Sequence, residues 1–418
     1  MKVLLVYPNI HGMNMLPPAI GLFTALLKAE GHEVELFDTT NWTIPGEAFD
    51  SDKEKEKYLT VRPFDDSKLW SGVKEGDVFD SFRETIERFR PGLLAFSVTE
   101  DIFPVGRALL ERVPMDDIPV IMGGVFATFA PEKCLAIPSV DMVCIGEGEH
   151  VMVELCCRLE RSDSYEDIPG LWCKTPDGVR RNPPAPPVDF DANPRIDLSL
   201  FEDSRLYRPM QGKVWRMLPV ETHRGCPYQC TYCNSPAQQK FYHANTRKSF
   251  YRKKSFDVIH DELTYYKDEL GAEALYFWAD TFLSYTEREF DAFCEMYSDI
   301  RLPFWCQSRP ETVRTERIKR LMDMGLFRMG FGIEHGDEEF RKTVLRRNVS
   351  NKVIVENLTK LNALDLKYSV NNIMGFPGET RQLAFQTIEL NRRIKADSAN
   401  AYSFSPFHGT HLRIVSEE

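Results

Sequence analysis

Arg224-Gly225-Cys226-Pro227-Tyr228-Gln229-Cys230-Thr231-Tyr232-Cys233 places three cysteines in one short loop, spaced by three residues and then by two. Structural zinc is normally closed by four ligands, so three thiolates leave a site one ligand short. A four-iron cluster held by three cysteines keeps one iron open to an outside ligand. Two other readings stay open at this point: zinc completed by His223 or His243, and a redox dithiol made from Cys230 and Cys233 alone.

The spacing, Tyr232 directly before the last cysteine, and the position just after an expected strand at 214–222 resemble the signature of the radical S-adenosylmethionine (radical SAM) superfamily. The resemblance implies that the amino and carboxylate groups of S-adenosylmethionine chelate the open iron of a [4Fe-4S] cluster. An electron from the cluster then cleaves the sulfonium, and the 5′-deoxyadenosyl radical abstracts hydrogen from unreactive carbon. Position by position, it makes Cys226, Cys230 and Cys233 the metal ligands and puts Tyr232 near the adenine. The chemistry belongs to the cofactors, and the protein supplies position and exclusion of water.

Downstream, strand patterns recur at 214–222, 274–280, 304–309, 329–334, 368–375 and 399–405, each alternating with a helical stretch. Thr286-Glu287-Arg288-Glu289 reads as a capping box, and Gly271 and Gly325 read as helix stops. Six strand-helix units predict a partial (β/α)6 barrel of TIM type over 214–418, whose catalytic groups gather at the C-terminal strand ends. Asp280, Gln307, Arg309 and Glu334 fall there, as does Gly375-Phe376-Pro377-Gly378-Glu379-Thr380. Asp280, Arg309 and Glu334 could equally form ordinary salt bridges. The resemblance implies S-adenosylmethionine contacts for Asp280, Gln307, Arg309, Glu334, Gly375, Pro377 and Gly378, with Glu379 structural. Tyr276, Trp278 and Trp305 either face a planar substrate or fill the barrel.

Upstream, residues 1–165 alternate strands and helices as a doubly wound, Rossmann-like sheet. Ligands bind such sheets at the carboxyl ends of the strands, where the loops hold Tyr7-Pro8-Asn9, Ser97-Val98-Thr99-Glu100, Gly123-Gly124-Val125-Phe126-Ala127-Thr128 and Gly146-Glu147-Gly148-Glu149. No G-x-G-x-x-G follows the first strand, and Gly123 and Gly124 permit close backbone approach to a broad ligand. With the cysteine loop, these segments resemble the cobalamin-binding domain of one large radical SAM class, which implies cobalamin contacts along all four loops. One departure concerns the cobalt. Corrinoid proteins that ligate it from below use Asp-x-His-x-x-Gly, whereas this chain has Pro17-Pro18-Ala19-Ile20-Gly21, and His11 lacks an acidic partner. The expectation is no protein imidazole beneath the cobalt. A second departure is His408, in Ser405-Pro406-Phe407-His408-Gly409-Thr410, where the family tends to have proline.

The insertion at 39–76 carries Trp42, Trp70 and the charged run Asp52-Lys53-Glu54-Lys55-Glu56-Lys57. Its length predicts a lid or a partly disordered segment; the two tryptophans could cap a ligand and the charges read as a solvated face. Asn182-Pro183-Pro184-Ala185-Pro186-Pro187 cannot sustain a helix, so 166–213 is expected as a linker holding a small hairpin. Relatives of this class continue past the sixth strand, so the resemblance implies a short member or a sequence cut at Glu418.

A net charge of -11 without a basic stripe argues against a nucleic-acid binder, and Arg252-Lys253-Lys254 reads as solvated loop. No segment is apolar for long enough to span a membrane. Seven cysteines outside the loop (134, 144, 156, 157, 173, 294 and 306) read as buried thiols of a reducing, cytoplasmic compartment. The expected function is a cobalamin-dependent radical SAM enzyme, a C-methyltransferase acting on an unactivated carbon of a small molecule, served by an external flavodoxin- or ferredoxin-like electron donor. A cyclase or rearrangement enzyme without methyl transfer is the nearest alternative, and a non-catalytic cofactor-binding sensor or electron carrier is one from another class.

Overall fold

The computed structural model describes residues 1–11, 15–44, 74–115 and 117–417, and Trp70 and the charged run at 52–57 lie outside them. The chain divides into two compact units, Met1–Val214 with Ala244–Lys248, and Trp215–His243 with Ser249–Glu418. No helix among the described residues is long and apolar enough to cross a membrane.

In the first unit, β1 (Lys2–Tyr7), β2 (Glu33–Asp38), β3 (Leu93–Ser97), β4 (Val120–Gly123) and β5 (Met142–Cys144) lie parallel in the order β2-β1-β3-β4-β5. Val3, Leu4, Leu5 and Val6 are all buried, as expected of a central parallel strand covered on both faces. The helix Pro18–Ala29 opens with proline in its first turn, and Gly31 follows it at a φ of 80°. The strand order reverses between β1 and β3, which opens a crevice at their carboxyl ends.

The hairpin expected inside a linker is β6 (Leu171–Thr175) with β7 (Gly178–Arg181), and it extends this sheet antiparallel to β5. Stretch 166–213 therefore belongs to the first compact unit instead of standing free. The reason is local: Asn182 is buried and its amide donates to the carbonyls of Glu166, Ile168 and Leu171, which folds the proline-rich stretch back onto the hairpin.

β8 (Tyr207–Met210) leads through Gln211 and Gly212, both at positive φ, into β9 (Lys213–Glu221). In the second unit, β9, β12 (Ala274–Trp278), β13 (Phe304–Ser308), β14 (Leu326–Glu334), β15 (Lys367–Met374) and β16 (Ser398–Ser403) run parallel in that order and curl into a half-barrel. β10 (His223–Arg224) and β11 (Arg252–Lys253) form a small separate ribbon. Alternation along β12 and β13 sorts the side chains: Phe277 and Phe304 pack with Phe293 and Tyr297 of the helix Glu287–Tyr297. Tyr276, Trp278, Trp305 and Gln307 share the other face, where Tyr276 stacks on Trp305 at 4.1 Å. The expected capping box is present at Thr286 and Glu289.

The basic trio is not solvated loop. Lys253 pairs with Glu289 at 2.7 Å and Lys254 with Glu262 at 2.7 Å, so carboxylates on two helices hold the ribbon in place. The cysteines outside the loop are buried apart from the half-buried Cys157, and burial pushes Cys134, Cys144 and Cys156 up to about 12, which leaves them inert.

Candidate active site

The cysteine loop starts where β9 ends. Arg224 grips Glu221 through two bonds, Nε to Oε1 at 3.0 Å and Nη2 to Oε2 at 2.9 Å. Gly225 turns the chain at a φ of 87°, and a Cβ there would lie 2.9 Å from a ring carbon of Phe250, so a larger residue is strained twice over. Thr231 then anchors the loop from both sides. Its N–H donates to the Leu345 carbonyl at 3.2 Å, its hydroxyl to the Val344 carbonyl at 2.7 Å, and its own carbonyl accepts from Leu412 at 3.1 Å. Asn234 adds a bond to the His408 carbonyl at 2.8 Å, so His408 contributes its backbone to this contact.

Each of the three sulfurs has a polar partner. Cys226 Sγ lies 3.6 Å from the Thr281 hydroxyl, Cys230 Sγ accepts from Arg309 Nη1 at 3.2 Å, and Cys233 Sγ accepts from the Ser235 N–H at 3.4 Å. Burial, with the Asp280 carboxylate adding to it, holds the Cys226 and Cys233 thiols above their ordinary value. Bound metal inverts that balance and takes the thiolate outright. Among the described residues no three His, Cys, Asp or Glu side chains converge on one ion. That gives no support to zinc completed by a histidine; His223 instead lies buried with Nδ1 2.8 Å from the Thr222 hydroxyl. A four-iron cluster does not require such convergence, because each thiolate holds its own iron. Three sulfurs on one pinned loop, with N–H donors on two of them, suit that cluster.

The expected S-adenosylmethionine residues at the strand ends stand in different surroundings. Asp280 is exposed beyond β12, close enough for its charge to act on two of the cysteines. Gln307 donates to the Tyr276 hydroxyl at 3.0 Å. Arg309 is turned to the cysteine loop: besides Cys230, it bonds Glu311 at 2.6 Å and lies 3.7 Å over the Tyr228 ring. Glu334 ends β14 after a register shift and sits at a φ of 70°, a conformation that is strained for a residue with a side chain. Burial raises its carboxyl, while Arg347 and the Tyr232 hydroxyl pull it back.

Arg347 is a residue that sequence reasoning missed. It is buried, bonds the Gly332 carbonyl, and reaches the Tyr232 hydroxyl at 3.3 Å and Glu334 at 3.5 Å. Tyr232 thus joins a charged network at its hydroxyl and packs its ring against a core of Phe340, Leu345, Phe376 and Leu412.

The pairing of His335 with Glu379 holds the glycine-rich loop. His335 Nδ1 accepts from the Asp337 N–H at 3.0 Å, so its proton sits on Nε2, which faces Glu379 Oε1 at 3.2 Å. Glu379 Oε2 accepts the N–H groups of Gly375 and Phe376. Both side chains are almost fully buried, 0% and 3% exposed. Glu379 is structural in this sense: it fixes the turn in which Gly375 and Gly378 have φ of 86° and 76°, with Pro377 between them.

In the first unit, the four expected loops share the carboxyl edge of the sheet. Asn9 is tied to Thr39 and Thr40 across the ends of β1 and β2, and burial pushes the Tyr7 phenol up to about 12. Thr128 accepts from the Gly146 N–H and donates to the Gly124 carbonyl, both at 3.0 Å, joining two loops. Gly124 has a φ of 107°, and a Cβ there would collide with the Val98 carbonyl oxygen. Its freedom therefore serves contact between the loops after β3 and β4. Glu147 is turned to the Val188 N–H, at 2.8 Å, while Pro8 and Val98 are buried, and Ser97, Gly123, Val125, Gly146 and Gly148 are half-buried. Thr99 is exposed, Glu100 half-buried, and Phe126 and Glu149 buried.

Residues 220–390 match the model of the Radical SAM superfamily, and residues 70–156 match that of the B12 binding domain. The chain belongs to the cobalamin-binding radical SAM enzymes. It is 26% identical over 361 residues to an uncharacterized methyltransferase of Pyrococcus horikoshii, covering 84% of this chain and 75% of that protein. It is 21% identical over 461 residues to the cytidylyl-2-hydroxyethylphosphonate methyltransferase of Streptomyces wedmorensis, covering 98% and 80%. Its fold matches that of the radical S-adenosylmethionine methyltransferase TsrM from Kitasatospora setae with a TM-score of 0.70 at 18% identity, over 100% of this chain and 76% of that one.

Proposed function

We propose that this radical SAM enzyme is a cobalamin-dependent methyltransferase that methylates an unactivated carbon of a small molecule. The observation that carries this reading is the pinned loop of Cys226, Cys230 and Cys233, three sulfurs each with a polar protein partner, in a chain that also carries a B12 binding domain. When bound, the cluster, S-adenosylmethionine and cobalamin supply the radical and the methyl relay. The three cysteines hold the cluster, and the strand-end residues Asp280, Gln307 and Glu334, with Tyr232 and the clamped turn Gly375-Phe376-Pro377-Gly378, seat S-adenosylmethionine. Arg309 serves the cluster by donating to Cys230. The loops at 7–9, 97–100, 123–128 and 146–149 hold the corrinoid, and an external flavodoxin- or ferredoxin-like protein supplies electrons. Two relatives named as methyltransferases, each spanning most of this chain, favour methyl transfer over cyclisation.

The test supplies methyl-deuterated S-adenosylmethionine, a strong reductant and candidate substrates to the reconstituted enzyme. Methyl transfer gives both 5′-deoxyadenosine and S-adenosylhomocysteine, with label in the product by mass spectrometry. Converted substrate without label identifies a cyclase or rearrangement enzyme. A sensor or electron carrier gives neither nucleoside product beyond slow uncoupled cleavage.

A further inference from the structure

A cavity of about 150 Å³ lies beside β2 in the first unit, lined among others by Asp38, Asn41, Trp42, Lys74, Thr85 and Arg205. Arg205 is 3% exposed, yet its guanidinium is only partly used. Nε donates to Asp38 Oδ2 at 2.9 Å, while Nη1 and Nη2 are both buried without a hydrogen-bond partner. The other oxygen of Asp38 is already engaged, accepting from the N–H and the hydroxyl of Thr40 at 2.9 and 2.5 Å. Asn41 repeats the pattern: its Nδ2 donates to Glu202 at 3.2 Å and its Oδ1 is buried and unpartnered. Lys74 is neutralised by Glu202 and stands 5.5 Å over the Trp42 ring. Buried polar groups are nearly always paired, so unpaired donors and an unpaired acceptor lining one cavity point to a ligand that supplies the missing partners.

We propose that this cavity binds a small carboxylic acid bearing a neighbouring hydroxyl or amino group. The carboxylate takes the two terminal nitrogens of Arg205, whose planar fork matches two oxygens in one plane. The neighbouring O–H or N–H donates to Asn41 Oδ1, and Trp42 covers the apolar part. The volume is roughly that of a cavity that accepts a benzene-sized molecule, which suits an acid of a few carbons. The site uses none of the cysteine loop.

Isothermal titration of the full chain with lactate, L-serine and propionate tests the proposal. Lactate or L-serine should bind saturably at millimolar concentration or below, and propionate, which lacks the donor, about fivefold more weakly. Arg205→Lys keeps a cation beside Asp38 but not the fork, and should weaken binding about tenfold. Asn41→Ala should erase the preference for lactate over propionate. Thr85→Leu fills the cavity from the helix Val78–Phe89 and leaves the Arg205–Asp38 pair intact, so it should abolish binding even where the arginine variant fails to fold. Absence of saturable heat from all three acids, the result if ordered water alone fills the space, overturns the proposal. So does unchanged affinity in a folded Thr85→Leu protein.

Discussion

Arg309 and the cysteines set the chemistry that single residues control. Cys226→Ala, Cys230→Ala and Cys233→Ala each remove one of only three protein bonds and should abolish a stable four-iron cluster, whereas Cys294→Ala should not; iron and sulfide analysis after anaerobic reconstitution decides it. Arg309→Gln should retain iron but lower the cluster potential by tens of millivolts in an EPR redox titration, because a cation and a donor near sulfur favour the reduced state. An unchanged potential would show that the contact is only structural. Glu379→Ala frees the N–H groups of Gly375 and Phe376 and should weaken S-adenosylmethionine about tenfold without loss of iron. Equal affinity in the variant removes the clamp from the site. His11→Ala should leave the cobalt spectrum of bound corrinoid unchanged. The cysteines were legible because their spacing is local, and Glu334 because it ends a strand. Thr231, Arg347 and the His335–Glu379 pair were not, because their roles lie in partners far along the chain, such as Val344 for Thr231 and Tyr232 for Arg347.

Strands and helices were read well wherever periodicity was strong, and poorly where one polar side chain decided the placement. The alternating β and α patterns located the parallel strands of both sheets to within a few residues, since buried strands and amphipathic helices carry their signal in every residue. The hairpin β6–β7 was seen, but its attachment to β5 depends on backbone pairing and on Asn182, which composition does not reveal. Likewise Arg252-Lys253-Lys254 looked solvated because its carboxylates lie on distant helices. Glu289 gives that arrangement a pH dependence. Burial alone would raise its carboxyl, but Lys253 and the Thr286 N–H and hydroxyl outweigh it and hold the group at about 2, against 4.5 for the free side chain. A depressed carboxyl stabilises the fold fully above pH 4.5 and loses that contribution as pH falls toward 2. The pair is partly exposed, so the contribution is on the order of 1 kcal/mol after screening. In urea titrations the stability difference between the native chain and Glu289→Gln should be constant above pH 4.5 and shrink below it. A difference that stays flat through that range would remove the ion pair as its cause.

The whole molecule consists of two compact units, each with its own sheet and buried core, and the proposed reading gives each its own cofactor. A ligand that binds only the folded form of one unit stabilises that unit by mass action, about 2.7 kcal/mol at a concentration 100 times its Kd. For a unit of this size, 1 kcal/mol shifts the melting temperature by about 2–4 °C. Saturating corrinoid should therefore raise one calorimetric transition by roughly 5–10 °C and leave a second one in place. The reconstituted cluster should act on the other transition, and Cys230→Ala should remove that effect while the corrinoid response persists. The alternative is a single cooperative transition, raised by corrinoid and lowered by loss of the cluster cysteine. That outcome would mean that the units unfold together, and that the energy of each cofactor is shared across the chain instead of being held by the unit that binds it.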